Sequence, residues 1–172
     1  SGAKSDLCLH HYGIASPAAE LFMAGNARKV LVYHNITPSE YFTGFDDRIA
    51  AALRTARAGL PEIARCADAV WTVSQFNAAE LRAAGARAVK VFPLIFKPSS
   101  GAQTPEPLIL QKFSGQLQNI LFVGRIAPNK RLEDLIEAFA WFNKTINPFS
   151  RLLLVGSPRS APRYYTMLRM LA

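Results

Sequence analysis

Cysteine is nearly missing from this 172-residue chain: Cys8 and Cys66 stand far apart, with no further Cys or nearby His at metal-ligand spacing. Two such thiols support neither a disulfide framework nor a zinc site, and they suit a reducing cytoplasm. Long apolar runs are missing too. No uninterrupted stretch approaches the roughly 18 to 20 residues of a membrane span, and the start lacks a basic region followed by an apolar segment. The expectation is a cytoplasmic protein, at most peripheral to the inner face of the cell membrane. Low-complexity tracts and internal repeats are absent, which excludes a solenoid. Acidic residues are few, twelve against twenty Lys and Arg, for a net charge of +8. Residues 1–100 hold eleven basic and eight acidic side chains, and residues 101–172 hold nine and four. That excess permits an anionic membrane surface or a phosphorylated ligand. No basic stripe with interleaved aromatics accompanies it, so no nucleic-acid partner is expected despite a pI near 9.9.

Half of the chain is hydrophobic, enough to bury a real core. Short β-type runs recur, each followed by a helical pattern: Asp6 to His11, Lys29 to Asn35, Ala69 to Ser74, Val89 to Leu94, Ile120 to Gly124 and Leu152 to Gly156. This alternation predicts an α/β fold with parallel sheets, in two incomplete Rossmann-like units. Runs such as Val30-Leu31-Val32-Tyr33 and Leu152-Leu153-Leu154-Val155 are continuously apolar, which predicts mid-sheet strands covered on both faces. Ser16-Pro17 and the capping box Thr37-Pro38-Ser39-Glu40 predict helix starts, and Ser74 reads as the N-cap of the helix through Leu81. Ile49, Leu53, Ala56, Leu60 and Ile63 predict one helix face, with a kink or break near Gly59 and Pro61. Pro- and Ser-rich sequence from Lys97 onward reads as a boundary. The expected division is 1–98, a linker over 99–117, and 118–172. The chain begins Ser-Gly-Ala and stops within an apolar-periodic helix, so both ends read as cut.

The stretch with most chemistry is Phe122-Val123-Gly124-Arg125-Ile126-Ala127-Pro128-Asn129-Lys130-Arg131, a strand passing through a tight loop into the helix face Leu132, Leu135, Ile136, Phe139 and Phe142. In an open α/β sheet, ligands sit beyond the carboxyl ends of strands, where helix N-termini offer free N–H groups. Gly124 lets the backbone approach closely. Arg125, a planar fork, and Lys130, a point charge, fit a diphosphate. In isolation two such cations are ordinary solvated surface charge. A Walker loop does not fit, because Asn129 replaces its second Gly and Arg131 replaces the Ser or Thr that would meet magnesium.

Asn119 to Phe139 resembles the opening of the donor domain in retaining GT-B glycosyltransferases of family four, where a Gly-Arg, a Pro and a Lys precede such a helix. Val30 to Pro38 looks like that family's strand ending in His, and Cys66 to Ser74 like its last acceptor-domain strand. The resemblance implies a chain lacking the first part of the acceptor-side domain and most of the donor-binding domain. It assigns Gly124, Arg125 and Lys130 to the donor diphosphate and His34 to the transferred sugar. The implied partners are a nucleotide-sugar donor and a glycan or lipid-linked acceptor, with no metal or other cofactor. The family's paired Glu motif and N-terminal glycine-rich loop are absent, which implies a chain inactive by itself. Arg131 stands where many relatives have Gly. A non-catalytic nucleotide-binding or regulatory module is the second reading, and a nucleic-acid binder the third. Of His10 and His11, alternation along a strand turns one inward.

Overall fold

The computed structural model describes residues 7–95 and 104–172. The chain divides into two compact units, 1–96 and 97–172. In the first, β1 (Leu7–Tyr12), α1 (Pro17–Ala24), β2 (Arg28–Tyr33), α2 (Asp47–Cys66), β3 (Ala69–Thr72), α3 (Gln75–Ala83) and β4 (Val89–Val91) follow one another. The strands form one sheet in the order β1-β2-β3-β4, every pair parallel. The second unit holds α4 (Pro107–Phe113), β5 (Gln118–Val123), α5 (Leu132–Thr145), β6 (Ser150–Val155) and α6 (Pro162–Leu171), with β5 and β6 parallel. The chain is therefore α/β with parallel sheets. Helix α4 falls within the stretch expected to be a linker. Residues 99–103 of that stretch, the expected boundary at 98 and Asp6 of the expected first strand lie outside the described residues.

Register explains which face of the larger sheet is covered. Tyr12 lies opposite Tyr33 and Tyr33 opposite Thr72, while Leu31 lies opposite Val70. All five are buried, and Tyr12, Leu31, Tyr33 and Val70 join Phe22 of α1, six positions of α2 and Leu81 of α3 in one core. The alternate residues look the other way, and Leu7 and Leu9 are half exposed. The three helices thus cover one face rather than both, which corrects the expectation from the apolar runs. Adjacent parallel strands joined by right-handed crossovers place every connecting helix on one side. In the smaller sheet Leu121, Val123 and Val155 are likewise exposed, and β6 pairs with β5 alone among the described strands.

Helix α2 shows how local rules yield to packing. Its cap is Asp46, whose Oδ1 accepts from the Ile49 N–H at 3.0 Å. The capping box Thr37–Glu40 opens no α-helix: Ser39–Phe42 is one 3-10 turn, and the Glu40 carboxylate accepts from Ser39 Oγ instead of a backbone N–H. The turn ends because Phe42 is buried and Gly44, at φ +81°, redirects the chain. Pro61 sits inside α2 without breaking it. Proline removes the N–H that would bond the Arg57 carbonyl, at a cost of about 3 kcal/mol. Leu60 and Ile63 on either side are buried, and each such burial contributes about 1.5–3 kcal/mol. Ser74 does cap α3, accepting from the Asn77 N–H at 3.2 Å, and so ends β3 two residues before the expected Ser74.

Candidate functional site

The loop between β5 and α5 is built from a buried middle and two exposed flanks. The Gly124 N–H donates to the Val155 carbonyl at 2.9 Å and the Ile126 N–H to the Ser157 carbonyl at 3.2 Å, extending the ladder past both strands. A Cβ on Gly156 would lie 1.7 Å from the Gly124 carbonyl oxygen, so only glycine fits at 156. Ile126, Ala127 and Pro128 are buried, while Arg125 and Lys130 on either side are exposed. The apolar triplet pins the loop and leaves its cations in solvent. The Asn129 Oδ1 is buried with no partner among the described residues, where buried polar atoms are normally hydrogen-bonded.

The start of α5 differs from the expected row of free N–H groups. The Lys130 N–H donates to the Ala127 carbonyl at 2.9 Å, and the Arg131 N–H to that of Pro128 at 3.1 Å. The Leu132 N–H donates to Tyr164 Oη at 2.7 Å, and that hydroxyl in turn donates to the Glu133 carboxylate. Burial, and then the bond to Glu133, push the Tyr164 phenol up to about 12. Three donors at the loop–helix junction are thereby consumed within the protein. Arg131 occupies the left-handed region at φ +50°, and its guanidinium reaches Glu133 at 3.3 Å and Asp134 at 2.7 Å. Arg125 and Lys130 form no ion pair among the described residues. Of the three neighbouring cations, these two have no carboxylate partner among the described residues.

His34 follows β2 in the other unit and is exposed. Its Nε2 lies 2.6 Å from Nδ1 of His11, the rings 4.9 Å apart and 10° from parallel. His10 turns the other way, onto Phe22 at 5.3 Å, and its Nε2 is buried with no partner among the described residues. Burial first, and His11 second, lower its pKa below 6.5. Strand alternation identified that one of this pair turns inward; the meeting of His11 and His34 needed the β1–β2 register.

A second polar cluster escaped sequence reading. Arg57 of α2 pairs with Glu80 of α3 and donates to the Ile36 carbonyl, while Tyr33 Oη donates to Glu80 at 2.5 Å. Its bonded partners are 21 to 47 residues apart in sequence, so no local motif announces them. Beside it lies a cleft of about 500 Å³ lined by Thr37, Pro38, Ser39, Glu40, Arg54 and Arg57, among others. Among the described residues no three His, Cys, Asp or Glu side chains gather as a metal site, and no helix is long and apolar enough to cross a membrane. No family model and no curated protein sequence matches the chain.

Proposed function

We propose that this chain serves transfer of a sugar from a nucleotide-sugar donor to a glycan or lipid-linked acceptor, with retention of configuration. The observation that carries the reading is the state of one loop: Arg125 and Lys130 exposed and without carboxylate partners among the described residues, next to an Arg131 held by Glu133 and Asp134. Uncompensated guanidinium and ammonium groups at the carboxyl end of a parallel strand suit a pyrophosphate. The resemblance of Asn119 to Phe139 to family-four glycosyltransferases supports the same ligand, and it supports His34 as the residue meeting the transferred sugar.

The chemistry asked of these cations is electrostatic. As the glycosidic bond breaks, its electron pair passes to an oxygen of the β-phosphate, and negative charge grows there. Arg125 and Lys130 stabilise that charge more strongly in the transition state than in the bound donor, which is the condition for raising turnover. The N–H groups of residues 130–132 are occupied, which supports the side chains of Arg125 and Lys130 as the main source of this stabilisation.

The test is turnover. The chain, joined to the glycine-rich loop and paired-Glu segments that the resemblance says it lacks, is incubated with UDP-glucose or GDP-mannose, and release of nucleoside diphosphate is followed with and without glycan and lipid-linked acceptors. Release is expected, and Lys130→Ala is expected to lower it by about 10²–10³-fold. Binding of UDP or GDP without release would replace this reading by a non-catalytic nucleotide-binding module. Near-wild-type turnover by the variant would remove Lys130 from the mechanism.

A further inference from the structure

Two exposed imidazoles are held in contact by backbone on both sides. Pairing of Tyr12 with Tyr33 places His11 just before that pair and His34 just after it, and the His34 N–H donates to the Tyr12 carbonyl at 2.9 Å. The chain then turns at once through Asn35, at φ +72°. Gly13 makes room for this turn, since a Cβ there would lie 3.1 Å from the Asn35 carbonyl oxygen and 3.7 Å from His34 Cβ. Exposed side chains normally keep their rotamer freedom, and ordering them has an entropic cost. Here the 2.6 Å contact and near-parallel rings hold both.

At that distance one proton occupies the gap, because two lone pairs would repel and two N–H groups would clash. In the neutral pair, donation by His11 Nδ1–H would leave both rings in the Nδ1–H form. Donation by His34 Nε2–H puts both in the Nε2–H form, the tautomer a free histidine side chain favours in water. A shared metal ion would require both nitrogens to aim at one external point, which facing nitrogens at hydrogen-bond distance do not do.

We infer that His34 donates through Nε2 to His11 Nδ1, so that His11 acts as a positioning residue that turns the unprotonated Nδ1 of His34 outward to accept a hydrogen bond from a sugar hydroxyl. The hydroxyl rests on the glycosyl-transfer reading, whereas the tautomer rests on the geometry alone. A ring nitrogen's role is set by the bond its partner makes, and orienting partners of a working imidazole act on the order of tenfold or more.

The test reads the imidazole ¹⁵N shifts of the 172-residue chain in mildly alkaline buffer. In the wild-type protein His34 Nε2 is expected at a protonated shift and Nδ1 at an unprotonated one. His11→Phe keeps a ring but no acceptor, and is expected to move both His34 signals toward an average. His11→Asn returns a polar atom near the Nδ1 position and is expected to restore them. Amide fingerprint spectra establish that each variant is folded. Averaged His34 shifts in the wild-type protein, a protonated Nδ1, or shifts unmoved in folded His11→Phe would each overturn the inference. With UDP-glucose or GDP-mannose turning over, His11→Phe is expected to lower kcat about tenfold with KM within about twofold, and His11→Asn to recover most of the loss. Failure of every donor to turn over once the chain is joined to the glycine-rich loop and paired-Glu segments of the family, with the wild-type shifts as expected, would defeat the glycosyl-transfer reading and leave the tautomer assignment standing.

Discussion

Protonating His10 would place a charge on a ring whose buried Nε2 has no acceptor among the described residues. The ring packs against Phe22, its Nε2 lacks a partner among the described residues, and its pKa is held below 6.5 by burial and by His11. The unfolded chain therefore takes this proton at higher pH than the native one. The resulting stability is complete above about 6.5 and is lost as pH falls through the native value. His10→Phe should flatten the acid limb of the stability curve; equal urea-midpoint slopes for variant and wild type from neutral pH to about pH 5 would contradict the assignment. Tyr164 has the opposite sign. With its phenol pushed up to about 12, its contribution is complete below 10 and is lost as pH rises through 12. Tyr164→Phe strands the Leu132 N–H and removes one of two partners of the Glu133 carboxylate, and should cost about 1–3 kcal/mol by denaturant titration; a loss below about 0.5 kcal/mol would mean that the hydroxyl caps nothing. At Gly156 a methyl group would strike backbone rather than a flexible side chain. Gly156→Ala should therefore cost about 3 kcal/mol, and a midpoint equal to wild type would show that the β5 and β6 ends yield freely.

The start of α5 ties local backbone to sequence. Arg131 holds a left-handed conformation that costs a non-glycine residue about 1–2 kcal/mol, while its exposed ion pairs contribute about 0–1 kcal/mol. Arg131→Gly should keep or raise the thermal midpoint, and Arg131→Val should lower it; a lower midpoint for the glycine variant would show that the ion pairs dominate. Strands were legible because Val30–Tyr33 and Leu152–Val155 are apolar without interruption, and Ser74 because its cap bond reaches only three residues along. Pro61 misled because a local rule competed with burial of Leu60 and Ile63, which no window around the proline displays. The box at Thr37–Glu40 misled because the burial of Phe42 and the turn at Gly44 lie outside it. Tyr164 was not legible as the cap of α5: it lies 32 residues from Leu132, and cap signatures describe neighbours.

For the molecule as a whole, charge is the feature that sequence and structure describe together. Residues 101–172 hold nine cationic side chains and four acidic ones, and two of the four acids, Glu133 and Asp134, are committed to Arg131. The loop carrying Gly124, Arg125 and Lys130 thus keeps its positive charge, and its identity as a candidate site was readable from residue types and spacing. What spacing left unread is that Tyr164 occupies the Leu132 N–H and that His11 backs His34, since both depend on partners from a distant helix or strand. The cations should then dominate affinity for a diphosphate, and that affinity should weaken as salt screens them. The direct measurement is titration of UDP or GDP into the ¹⁵N-labelled chain while the side-chain signals of Arg125 and Lys130 are followed. Both signals should shift with saturation, and Arg125→Ala or Lys130→Ala should each weaken binding by about tenfold. Saturable binding that leaves both signals unmoved and is indifferent to either substitution would contradict the account.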